Sequence, residues 1–295
     1  MFRYAGDRLS KGAGRVPVKE DVVKALDLLR YGKPEKGNIV VMGIVNVTPD
    51  SFSDGGRFLR PETALEHGRA LVADGADVLD VGGESTRPGF EPVPAEEEWA
   101  RLSPVVGELV AEGVTVSIDT TKAFVARRAL EAGAMVINDV WGFQADADMA
   151  SVVADSDALA IVMHNRHAVD EALDLRADWR RFFDTSLEHA ERAGLPRDRV
   201  VLDPGVGFGK TQLQNVEAVA RLGELRAEYD LPVLLGVSRK SMFGHFLGRP
   251  TSDRLAGTLA THLYGVEQGA TMLRVHDVRE HVDALTMRQI LKGVP

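Results

Sequence analysis

Residues 114–139 read VTVSIDTTKAFVARRALEAGAMVIND. Residues 114–118 form a short apolar, β-branched run that predicts a buried strand, and it stops at Asp119. Residues 121–132 carry Ala, Val, Leu and Arg at helical spacing, and 134–137 return to a short apolar run that ends on Asn138 and Asp139. One strand, one helix and the next strand thus occupy about two dozen residues, and the polar groups sit where each strand ends. The same unit extends in both directions. Strands are expected at 39–45, 77–81, 114–118, 134–137, 158–163, 199–202, 232–236 and 271–275. Helices are expected near 61–74, 95–112, 121–132, 145–155, 178–193, 213–228, 251–268 and 277–292. Strands that are apolar throughout, without alternation, predict a parallel sheet covered by helices. Eight such units between residues 39 and 295 fit an α/β chain of the (β/α)8 TIM-barrel class, with a doubly wound open sheet as the rival on strand count alone.

Residues 1–38 stand outside this plan. They open on polar sequence, and 18–30 (VKEDVVKALDLLR) place Val18, Val22, Val23, Leu26 and Leu29 on one helical face. Pro34 and Gly37 punctuate before the first strand. The expected division is an N-terminal helical extension over 1–38, lying outside the barrel across its bottom, and a barrel over 39–295.

The chain has 295 residues and a formal net charge of −9. It carries no extended basic stretch with which to neutralise phosphates, which argues against a nucleic-acid partner. Without cysteine it has no disulfide, thiolate metal site or cysteine nucleophile, which fits a reducing, cytoplasmic setting. No secretory signal is evident, and no apolar run approaches the ~20 residues that span a bilayer.

The eight strand ends are the informative places, because loops at the C-terminal face of a parallel barrel converge. They deliver Asn46, the GGESTRPG run, Asp119, Asn138 with Asp139, Met163 with His164, Asp203, the SRKS run at 238–241, and Arg274 with His276. Carboxylates and amides that cap apolar strands are costly to bury unpaired, so a ligand or metal is expected to satisfy them. Asp119, Asn138 and Asp203 suit a flat heterocycle with amino and ring N–H groups. Arg87, Lys240, Arg274 and His276 are read as cations for a phosphate or carboxylate. GVGFGK at 205–210 lacks phosphate-loop spacing and is read as a turn. His164, Trp99 and Trp179 are read as packing residues, and Glu96–Glu98 as a solvated helix face.

Eight blocks in this order resemble the dihydropteroate synthase family: MGIVNVTPDSFSDGG (42–56), GGESTRPG (82–89), SIDT (117–120), INDV (137–140), MH (163–164), LDPGVGFGK (202–210), SRKS (238–241) and RVHDV (274–278). The resemblance spans essentially all of 39–295. It implies a (β/α)8 barrel, usually a homodimer, that joins 6-hydroxymethyl-7,8-dihydropterin pyrophosphate to p-aminobenzoate with release of pyrophosphate. Residue by residue it implies a pterin pocket of Asp119, Asn138, Met163, Asp203 and Lys240, with Thr86 a further substrate contact. Arg274 and His276 match the pyrophosphate pair, and Asn46 matches a residue that coordinates Mg2+. Thr86, Arg87, Pro88, Phe208 and Ser241 match the p-aminobenzoate site. Lys240, Arg274 and His276 are the expected catalytic groups, joined by Asp54 in the first loop. The strand-five loop, MHNRH, departs from the Gly that many members carry there. A pterin-dependent methyltransferase on the same barrel is the alternative enzyme, and a catalytically inactive pterin-binding paralogue the alternative module. The methyltransferase would not need STRPG, SRKS and the Arg274/His276 pair together, and loss of Asn46, Lys240 or the Arg274/His276 pair would mark the paralogue, whereas all are present.

Overall fold

The structure, a computed structural model, describes Asp27 and residues 32–47, 61–84 and 93–294. Eight parallel strands run β1 Val40–Asn46, β2 Val78–Gly82, β3 Val116–Asp119, β4 Val136–Asp139, β5 Leu159–Met163, β6 Val200–Asp203, β7 Leu234–Leu235 and β8 Met272–Val275. They neighbour one another in the order β6-β5-β4-β3-β2-β1-β8-β7. A parallel bridge between Leu202 and Val233 brings β6 and β7 together and closes the ring. The fold is the (β/α)8 barrel, and the open-sheet rival is excluded.

The helices that cover the barrel are α1 Pro61–Ala73, α2 Ala95–Ala111, α3 Ala123–Glu131, α4 Met149–Ala154, α5 Leu175–Arg192, α6 Gln212–Ala220, α7 Leu222–Tyr229, α8 Ser241–Leu247, α9 Leu255–Glu267 and α10 Val278–Lys292. Three departures from expectation are local. The helix expected at 213–228 divides at Arg221, and a short extra helix, α8, follows the SRKS turn and ends at Gly248 in the left-handed region (φ 65°). The seventh strand is shorter than the expected 232–236.

Strand residues alternate between two apolar environments, which is why the sequence showed no alternation. Val41, Val45, Leu79, Val81, Ile118, Ile137, Val162, Leu202 and Leu273 face outward and pack with the helices. Val40, Met42, Val78, Val136, Leu159, Ile161, Val201, Leu234 and Met272 form a separate cluster inside the ring. Two residues further along five of the strands the same inner face changes character. Val78 is followed by Asp80, Val136 by Asn138, Ile161 by Met163, Val201 by Asp203 and Met272 by Arg274. The barrel interior is therefore apolar below and polar above, and the polar layer is the floor of the site.

The bottom is closed by residues 33–39. Lys33 and Ile39 form an antiparallel bridge, and the buried Lys36 ammonium donates to Asp77 Oδ1 at 2.8 Å and to Gly75 O at 2.7 Å. Of the amphipathic stretch at 18–30, only Asp27 is described, as helical; the rest lies outside the described residues. No helix of the described residues is long and apolar enough to cross a membrane.

Candidate active site

The polar layer converges on one pocket. Asp119, Asn138, Met163, Asp203, Phe208, Lys240 and Arg274 all line it, together with Val140, Val206 and Gly236. Seven side chains predicted from five different strand ends and two of the loops thus meet in one place.

The charged and amide groups among them are held by neighbours. Asp203 Oδ1 accepts the Gly205 N–H at 2.7 Å. Burial pushes its carboxyl up to about 6, against that backbone bond and the nearby Lys240, Lys210 and Arg274 cations. Burial likewise pushes Asp119 up to about 7, opposed by Arg274, whose Nη2 donates to its Oδ2 at 2.8 Å. The other Asp119 oxygen, Oδ1, is buried with no hydrogen-bond partner among the described residues. Lys240 places its ammonium 4.2 Å from the centroid of the Phe208 ring.

Asp80 was not among the expected site residues. It is fully buried on β2, and its carboxylate accepts from Ser117 Oγ at 2.6 Å, Asn138 Nδ2 at 3.0 Å and Arg274 Nε at 2.5 Å. With Nδ2 committed to Asp80, Asn138 turns its amide oxygen, an acceptor, the other way. The available signal was a carboxylate inside the apolar run DVLDV, two residues before the strand end.

The GVGFGK turn is a turn, as expected. Gly205, Gly207 and Gly209 have φ of 67°, 87° and 57°. At Gly205 a side chain is impossible, since a Cβ would stand 1.7 Å from His164 O. The buried Lys210 ammonium donates to Gly205 O at 2.8 Å and Phe208 O at 3.1 Å, so it ties its own loop together rather than facing a phosphate. Thr211 then caps α6 in a reciprocal pair with Gln214.

Several expectations fall elsewhere. Asp54, Thr86, Arg87 and Pro88 lie outside the described residues. Ser241 is exposed at the start of α8, outside the pocket lining, and Gln212 Nε2 lies 3.3 Å from its hydroxyl. His276 is held 2.9 Å from Ser238 Oγ through Nδ1. It was read as cationic, but burial, with Arg239 and Arg274 nearby, pulls its imidazole down to about 4, so it is neutral at pH 7. Within the run Glu96–Glu98, Glu98 is not solvated: it is buried and accepts from Lys122 Nζ at 2.5 Å. His164 is a buried packing histidine, with Nε2 3.0 Å from Asp178 Oδ2. Trp141 stacks on His167 with ring centroids 4.2 Å apart, outside the pocket lining.

Asn46 ends β1 with an exposed side chain. Among the described residues no group of three or more His, Cys, Asp or Glu can hold a metal ion. A single amide oxygen nevertheless fits Mg2+, which prefers oxygen donors, keeps several waters and takes the rest of its ligands from substrate phosphates.

The profile of the pterin binding enzyme family matches residues 42–276. The chain is 46% identical over 253 residues to the dihydropteroate synthase of Clostridium beijerinckii, covering 85% of this chain and 93% of that one. It belongs to the dihydropteroate synthase family. Among solved members, the Xanthomonas albilineans dihydropteroate synthase with 4-aminobenzoic acid superposes with a TM-score of 0.83 at 46% identity, covering 87% of this chain and 94% of that one. A Yersinia pestis dihydropteroate synthase in a sulfonamide complex gives 0.79 at 39% identity over 86% and 94% of the two chains. Membership makes the chain a transferase that forms dihydropteroate in folate biosynthesis.

Proposed function

We propose the following division of labour for the condensation of dihydropterin pyrophosphate with p-aminobenzoate. The pterin lies in the pocket over the apolar barrel core. Its amino and ring N–H groups donate to Asp203, to the Asn138 amide oxygen and to Asp119. The observation that carries this reading is the set of acceptors itself. Asp119 Oδ1 is buried and unpaired among the described residues, and Asn138 has its donor committed to Asp80. A ligand rich in donors satisfies both, and an acceptor-rich ligand satisfies neither.

The bond between the pterin methylene carbon and the pyrophosphate oxygen breaks, and its electron pair leaves with pyrophosphate. The p-aminobenzoate nitrogen forms the new C–N bond and releases a proton to solvent. Arg274 and His276 hold the pyrophosphate, His276 as a neutral hydrogen-bonding group that gains basicity when the anion arrives. Mg2+ at Asn46 supplies further neutralisation of the leaving anion when bound. Lys240, Phe208, Ser241 and the loop bearing Thr86, Arg87 and Pro88 form the p-aminobenzoate end, with Asp54 approaching from the first loop. Positioning and charge stabilisation account for most of the lowering of the barrier. Sulfonamides, as p-aminobenzoate analogues, compete for that same end.

Residues 39–295 act as the catalytic barrel and residues 1–38 as an extension outside it. The working enzyme is a cytoplasmic homodimer. The test is incorporation of radiolabelled p-aminobenzoate into dihydropteroate with the pterin pyrophosphate and Mg2+. Wild type incorporates label and Asp203→Asn does not. Equal incorporation by both overturns the assignment of the pterin pocket.

A further inference from the structure

Arg239 is the second residue of the SRKS turn and has a φ of 58°. An arginine gains nothing from the left-handed region, so a conformation of this kind persists only where neighbours over-determine it. Three groups do so here. The Arg239 N–H donates to Thr258 Oγ1 at 3.2 Å, and its carbonyl accepts from Arg254 Nη1 at 2.9 Å. Its guanidinium pairs with Asp277 through Nε at 3.1 Å. Thr258 is fully buried, and its hydroxyl proton is committed to Arg254 O at 2.8 Å, which leaves the oxygen lone pairs for Arg239. Gly244 of α8 makes room for Arg254, since a Cβ there would stand 2.6 Å from Nη2.

The residues flanking Arg239 are the ones the site uses. On one side Ser238 Oγ accepts the His276 N–H at 3.2 Å and touches its ring. On the other, Lys240 reaches the pocket over Phe208, and Ser241 starts α8. A backbone reversal at Arg239 thus aims Ser238 and Lys240, and the two bonds to its backbone come from the N-terminal end of α9, outside the pocket. We propose that Arg254 and Thr258 are positioning residues for the p-aminobenzoate end of the site, acting through the left-handed Arg239. The proposal rests on the reading of Lys240 as part of that end.

The test is steady-state kinetics of Thr258→Val, which keeps the shape and removes the acceptor, and of Arg254→Met. Thr258→Ser and Arg254→Lys restore a partner. Thr261→Val is the control, because that hydroxyl on the same helix donates to Gly257 O instead. The expected result is a rise in KM for p-aminobenzoate of about tenfold in Thr258→Val and Arg254→Met, about the worth of one hydrogen bond. The rise should be recovered to within about threefold by the conservative pair and be absent in Thr261→Val. Loss of folded enzyme alone lowers kcat and leaves KM untouched, so a fall in kcat with an unchanged KM overturns the proposal. If Arg254→Met does not fold, the Thr258→Val and Thr258→Ser pair decides it. Lys240→Met separates the two levels. If it raises KM and the α9 variants do not, the clamp alone is wrong. If it leaves KM unchanged, the reading of the pocket falls and the clamp with it.

Discussion

Pterin affinity should depend on pH through Asp203, with a slope that follows from its burial. A free aspartate titrates near ~3.9. Burial pushes Asp203 up to about 6, and the Gly205 N–H and Lys240 only partly oppose this. A pterin that donates to this carboxylate binds the ionised form. At pH 5 only about one-tenth of the enzyme carries it, so the Kd should be roughly tenfold weaker there than at pH 7.5. Asp119, pushed up to about 7, adds a second proton-linked step at higher pH, on top of the Asp203 contribution. Calorimetric titration of a non-reactive pterin from pH 5 to 8 reads both. In Asp203→Asn the inflection near pH 6 should vanish, and affinity at pH 7.5 should fall by about 1.5–3 kcal/mol, the worth of a charged hydrogen bond. The stability of the unliganded protein should move in the opposite sense. A raised carboxylate pKa means the folded state holds the proton more tightly than the unfolded state. The Asp203 contribution is therefore lost as pH rises from about 4 to about 6. Asp203→Asn should accordingly melt higher than wild type at pH 7.5, by about 2–4 °C for each kcal/mol regained. A flat affinity profile in the wild type, or an unchanged inflection near pH 6 in Asp203→Asn, would refute the reasoning.

Three further outcomes are expected. Asp80→Asn lets the Asn138 amide turn over and leaves Arg274 Nε facing an amide, so pterin and pyrophosphate affinities should both fall by about tenfold or more in calorimetry; a loss confined to one ligand contradicts the shared-carboxylate geometry. EDTA should suppress turnover and Mg2+ restore it, and Asn46→Ala should raise the Mg2+ concentration for half-maximal rate; full activity in EDTA removes the metal from the mechanism. Lys210→Met removes the donor to Gly205 and Phe208 carbonyls in a buried turn, so the variant should be less stable by about 1–3 kcal/mol in urea unfolding, and an unchanged midpoint would show that the turn stands on its glycines alone.

The site was most legible where a polar side chain ends an apolar strand. Asp119 and Asp203 end their strands, and Asn138 and Arg274 stand one residue before the end, close to the mouth of the barrel. Asp80 escaped because it sits inside its strand. In a strand buried on both faces the inward and outward positions are equally apolar, so the alternation that would have marked it as inward is hidden. Glu98 escaped for a related reason. Its two acidic neighbours do face solvent, and only the pairing with Lys122 from the next helix brings it inside. The neutral state of His276 was not readable at all, since it depends on burial and on Arg239 and Arg274 arriving from separate strand ends. Helix α8 was missed because seven residues between a turn and a Gly-Arg-Pro break carry too few periods to be read.

The seam between β6 and β7 gives the ligand a second role. Neighbouring strands elsewhere in the ring pair over two or more residues, whereas here Leu202 meets Val233 in a lone bridge. Asp203 follows on one bank of that seam, and Gly236 and Lys240 on the other. A bound pterin that grips Asp203 while lying against Lys240 therefore staples the weakest joint of the barrel. Substrate binding and barrel closure draw on the same free energy, and saturating pterin should slow amide exchange at Leu202 and Val233 more than at the β1–β2 ladder on the far wall.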